Sequence, residues 1–130
     1  MNNIVLDKKV ALTYNPIVLA YVGDAVQTLF VRSNLAVGSD CKTGELHKRA
    51  NRIVCATHQS KVAESILPDL TDEERDVFFR ARNAHVNSVA KHADIIDYKK
   101  ASGLEAVFGF LYLTGQYDRL QQLLEFGEKE

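Results

Sequence analysis

Residues 16–35 read PIVLAYVGDAVQTLFVRSNL, and they decide the fold. Asn15-Pro16 is an N-cap followed by a residue suited to the first helical position, so a helix begins there. It runs to about Ala36, with Gly38 as its stop. Its apolar residues cover most of its circumference, which predicts deep burial. Yet Gly23 and Asp24 sit side by side at its centre. In a helix interior Gly costs roughly 0.8–1 kcal/mol against Ala, and Asp is also a poor helix former. Asp24 is moreover the only charged residue from Pro16 to Val31.

A second stretch has the same character. LEAVFGFLYL (104–113) is apolar nearly all round and predicts a central helix, over about 101–114 and ended by Gly115. Glu105 is the only charge between Lys100 and Asp118. Outward from these two, Thr43 caps a helix that carries Leu46, Ala50, Ile53, Val54, Thr57, Val62 and Ile66 and ends before Pro68. Thr71-Asp-Glu-Glu74 is a capping box opening another, with Val77, Phe78 and Ala81 inward and fraying at 83–88. Residues 89–97 have room for a short helical turn or two. Tyr117–Phe126 forms the last helix, with Leu120, Leu123 and Leu124 inward and Gly127 as its stop. No strand-length alternation occurs. The expectation is an all-α fold of five to seven helices, one domain over 1–130 with 1–14 as an N-terminal extension.

Composition bounds the function. The 130 residues are 46% hydrophobic and 25% charged, an ordinary globular balance. The apolar runs fall short of the roughly 20 residues a bilayer span needs. The N-terminus lacks the features of a secretory signal, and Cys41 and Cys55 form no disulfide framework, so a cytoplasmic protein is expected. The formal net charge is −1. It hides a basic stretch from Lys42 to Lys61 and another from Arg80 to Lys100, with acids gathered at 69–76 and in the tail. That separation suggests one basic face, although solvated helix surfaces read the same way.

The two isolated carboxylates are the candidate chemistry. An ionised acid in an apolar helix is costly unless a cation pairs with it. Small residues accompany both acids: Gly23 beside Asp24, and Ser102 and Gly109 one turn either side of Glu105. If the two helices cross at these positions, the carboxylates share a cleft. They then repel unless one stays protonated or a cation joins them. Mg²⁺ is held in just this way, by one or two carboxylates plus waters and substrate phosphate, and activates water toward a phosphodiester. Structural salt bridges to Arg32, Arg49 or Arg80 are the alternative. Cys41, His47, Cys55 and His58 lack zinc-ligand spacing. No phosphate-binding glycine loop or nucleophilic triad is present.

LAYVGDAV (19–26) resembles the signature helix of ribonuclease III domains, and LEAVFGFLYL their second acidic helix. The ordered set LAYVGDA (19–25), LHKR (46–49), RIV (52–54), RARNA (80–84) and LEA-x-x-G (104–109) resembles the short bacterial branch called Mini-ribonuclease III, over about residues 15–126. The long enzymes carry two more glutamates, where this chain has Ile17 and Ala20, and an aspartate where it has Ser102. They also carry a double-stranded-RNA-binding domain not expected here. The resemblance implies a ribonuclease III-like helical domain acting as a homodimeric, Mg²⁺-dependent endonuclease. Its substrate would be double-stranded RNA, the 23S ribosomal RNA precursor, cut to 5′-phosphate and 3′-hydroxyl ends. Catalysis and metal binding carry over to Asp24 and Glu105, with Asp94 and Ser102 open as further contributors. Under it Lys48, Arg49, Arg52, Arg80, Arg82, Asn83 and Lys91 become candidate contacts to RNA phosphates. The missing acids also admit a catalytically silent, dimeric RNA-binding module of ribosome assembly. An all-α nucleotide hydrolase is a third possibility, but it would need more clustered carboxylates.

Overall fold

The computed structural model describes residues 4–84 and 95–128. Among these every regular element is helical: α1 (Lys8–Ala11), α2 (Pro16–Gly38), α3 (Thr43–Val54), α4 (Ala56–Ile66), α5 (Asp72–Asn83), α6 (Ile95–Leu113) and α7 (Tyr117–Glu128), with a single 3₁₀ turn at Leu67–Asp69. The expected all-α architecture is the one found. Asn15 caps α2, its Oδ1 accepting from the Ile17 N–H at 2.9 Å. The Thr71–Glu74 capping box is complete at the start of α5. Gly115 turns the chain at φ +73°, where a side chain would be strained.

Several boundaries differ from the sequence expectation. The single helix expected from Thr43 to Pro68 is two, because Cys55 is extended at φ −68°, ψ 153°. The break lets α3 pack on α2 while α4 turns to pack on α6, which one straight helix cannot do. The Gln59 amide closes it by donating to the Val54 carbonyl at 2.7 Å. Lys42, not Thr43, is the N-cap of α3, with no side-chain cap. The central helix starts at Ile95, two turns earlier than expected, and α7 continues through Gly127 to Glu128. In the N-terminal extension, Asp7 caps the short α1, which the sequence reading did not anticipate.

α6 is the hub, packing against α2, α4, α5 and α7. Phe108, Phe110, Leu104, Leu111 and Val107 on it are fully buried, together with Leu19, Ile66, Phe78 and Leu123. A buried ion pair ties α5 to α7. Arg119 donates to both Glu74 oxygens at 2.8 and 2.9 Å and to the Asp69 carbonyl at 2.8 Å. Burial works to raise the Glu74 pKa, but the hydrogen bonds from Arg119 and the Thr71 N–H outweigh it and hold the carboxyl below its usual range.

Candidate active site

The site begins with two glycines. A Cβ on Gly23 would stand 1.7 Å from the Glu105 carbonyl oxygen, and one on Gly109 would stand 1.9 Å from that of Leu19. α2 and α6 therefore cross backbone to backbone, each using the other's missing side chain. The crossing occurs one residue from Asp24 and one turn from Glu105, so it sets the two acids opposite one another. Gly23 is thus a close-contact residue, and its helix-propensity cost is local to the site.

Asp24 and Glu105 share an open cleft of about 200 Å³, lined also by Ile17, Ala20, Tyr21, Tyr98 and Ser102. Asp24 is exposed and Glu105 half-buried. The Glu105 pKa is raised from 4.5 to about 8, first by burial and then by the hydrogen bond and charge of Asp24. At neutral pH the metal-free pair therefore holds a proton on Glu105. Burial and the neighbouring Asp24 both favour the protonated form of Glu105, and a hard divalent ion bound between the two groups would oppose both effects. The donor set fits Mg²⁺ as well: oxygen atoms only, two of the groups carboxylates, with room for water.

Ile17 and Ala20, where the longer enzymes carry acids, face this same cleft, as does Ser102. Asp97 does not line it, and Asp94 lies outside the described residues. Tyr98 was missed in the sequence. It lies seven residues before Glu105, a helical repeat that would have exposed it had α6 been extended to Ile95. Tyr21, on the other wall, lies three residues before Asp24 and is 80% exposed.

The basic candidates separate. Lys48, Arg49 and Arg52 are exposed together on α3, with Arg52 in a loose 3.9 Å pair with Glu45. Arg80 has a structural role instead of standing free. It donates to the Leu12 and Tyr14 carbonyls at 2.8 and 3.1 Å and faces Asp76 at 3.8 Å, tying the end of α1 to α5. Arg82 lies over the Phe79 ring and donates to Asn83 Oδ1 at 3.1 Å. Lys91 lies outside the described residues.

Comparison with known proteins gives a consistent result. The ribonuclease III domain family matches residues 17–116. Mini-ribonuclease 3 of Brevibacillus brevis is 44% identical over 85% of this chain and 83% of its own. The protein of the same name from Symbiobacterium thermophilum is 41% identical over 88% of each, and that of Staphylococcus aureus 40% identical over 85% and 84%. A crystal structure of a Fusobacterium nucleatum protein superposes with a TM-score of 0.83 at 26% identity, over 90% of this chain and 93% of that one.

Proposed function

This chain belongs to the ribonuclease III family, and from that membership we propose a Mg²⁺-dependent endonuclease that cuts double-stranded RNA. Its substrate is the 23S ribosomal RNA precursor, and it works in the cytoplasm as a homodimer. One observation carries the catalytic reading. The α2–α6 crossing brings two carboxyl groups together in one open cleft, where a cation would let them be ionised together.

Asp24 and Glu105 are the residues that would hold Mg²⁺. Bound there, the ion would supply an activated water and neutralise charge developing on the phosphate. The protein's own work is to prepare for it. Gly23 and Gly109 fix the spacing of the acids, and a cation held between them would offset both the burial and the Asp24 charge that keep the proton on Glu105. Ile17, Ala20 and Tyr98 supply cleft wall without charge, so waters and RNA phosphates complete the coordination. Hydrolysis leaves 5′-phosphate and 3′-hydroxyl ends. The basic face of α3 supports a grip on RNA phosphates, since duplex RNA is recognised chiefly through its shape, phosphates and 2′-hydroxyls.

The homodimer reading is supported by α2's outer face. Val18, Tyr21 and Leu29 stand exposed there, and a mainly apolar groove of about 440 Å³ runs along Tyr21, Val22, Ala25, Val26, Leu29 and Tyr112 and reaches Asp24. A twofold partner seated on that face would place two clefts about one axis, matching the symmetry of a duplex. Among the described residues no helix is long and apolar enough to cross a membrane.

Incubation with long duplex RNA, with Mg²⁺ and with EDTA, tests the whole reading. Metal-dependent fragments bearing 5′-phosphates are expected from the wild type and none from Asp24→Asn. Tight binding without fragments in either condition would favour the silent RNA-binding module instead.

A further inference from the structure

A second polar cavity, of about 250 Å³, is lined by Arg82, Asn83, Ile96, Lys99 and Lys100. It joins the end of α5 to the first turns of α6 and brings three cations from two separate segments to one concavity. We propose that this cavity binds a backbone phosphate of the duplex flanking the scissile bond, with Lys99 as its principal contact; the inference rests on the double-stranded-RNA reading above.

Two of the three cations are already placed. The Arg82 guanidinium lies 4.7 Å from the centre of the Phe79 ring, and its Nε donates to Asn83. Lys100 is paired with Glu64 of α4. Lys99 makes no ion pair with any described carboxylate. Glu64 offsets one of the three positive charges, and Asp97 is the acid nearest in sequence on the same helix. Among the described residues, even counting Asp97, one positive charge remains for an anion. A guanidinium and an ammonium converging from two sides suit a phosphodiester, which accepts charge-assisted hydrogen bonds through both non-bridging oxygens.

The location is what makes the anion an RNA phosphate. Lys99 lies one helical turn from Ser102 and six residues from Glu105, about 9 Å along the axis of α6. A duplex seated with one phosphate at the carboxylate cleft therefore has backbone within reach of the cavity. The carboxylates act on the scissile phosphate, while Lys99 fixes where the strand lies beside it.

The test is equilibrium binding of the full chain to a labelled duplex RNA in EDTA, by fluorescence anisotropy over a series of salt concentrations. Lys99→Ala is expected to weaken binding about five- to tenfold at low salt, equally for duplexes of different sequence. It should also flatten the slope of log K against log salt by about one. Lys99→Arg keeps both values near wild type. An unchanged slope and affinity in Lys99→Ala, with wild-type protein that still cleaves the duplex in Mg²⁺, overturns this inference alone. Wild-type protein that neither binds nor cleaves duplex RNA overturns the functional reading and this inference with it. Circular dichroism establishes that each variant is folded, and Lys99→Gln takes the place of Lys99→Ala should the alanine variant not fold.

Discussion

Replacing Gly23 with alanine adds one methyl group at the point where α2 and α6 touch. Its carbon would lie 1.7 Å from the Glu105 carbonyl oxygen and 2.8 Å from the Gly109 nitrogen. Those atoms are backbone in the most buried helix of the molecule and cannot swing aside. The helices must part by about 1.5 Å before ordinary contact distances return. Overpacking a core commonly costs 1–3 kcal/mol, and separating the main helix pair puts this case at about 3 kcal/mol or somewhat above. Alanine's better helix propensity returns roughly 0.8–1 kcal/mol. The net expectation is a loss of about 2 kcal/mol, or roughly 6–10 °C in Tm for a chain of this size. The same parting moves Asp24 against Glu105, and misplacement by about 1 Å can lower a catalytic rate about a hundredfold.

Urea denaturation and metal-dependent cleavage of a defined RNA duplex read the two effects. Gly109→Ala should reproduce both, since its methyl would meet the Leu19 carbonyl at 1.9 Å. The double variant should cost less than the sum of the two, because the first methyl already parts the helices. Gly44→Ala is the control. Nothing lies within 4 Å of its added carbon, so only the propensity gain remains and stability should rise. A Gly23→Ala protein with wild-type stability and wild-type cleavage would refute the claim that this crossing sets the site.

Three further outcomes follow from named contacts. Glu105 holds its proton to about pH 8 in the native chain but only to about 4.5 when unfolded. Its contribution to stability is therefore complete below pH 4.5 and is lost as pH rises toward 8. In EDTA this costs at most about 2–3 kcal/mol between pH 5.5 and 7.5, and Asp24→Asn should flatten the decline. Arg119→Met strands the buried Glu74 charge and should cost about 3–5 kcal/mol at neutral pH. The defect should shrink in acid as Glu74 protonates, which a chemical denaturation series at several pH values would show. Arg80→Ala should lower stability by about 1 kcal/mol through its lost hydrogen bonds to the Leu12 and Tyr14 carbonyls. Its RNA affinity, measured by anisotropy, should stay within about twofold of wild type, whereas a phosphate contact would cost more.

Much of this molecule follows from local chemistry and was therefore legible in the chain. Asn15-Pro16, the Thr71–Glu74 box and the apolar run 104–113 act through contacts within a few residues of themselves, and each lies in the helix it predicted, although that of 104–113 begins earlier, at Ile95. The isolation of Asp24 and Glu105 was visible for the same reason, since an acid alone in an apolar helix stands out by composition. Other features were decided by packing between distant segments. Cys55 breaks a continuous helical pattern because α3 and α4 have different partners. Glu74 was readable as a cap, but not as the buried partner of Arg119. Arg80 looked like a basic surface residue until α1 placed two carbonyls in front of it. Above all, the sequence offered two acids beside two glycines, and only the tertiary structure set each glycine against the other helix's backbone. Close approach is a property of two surfaces at once, which no single stretch of sequence contains.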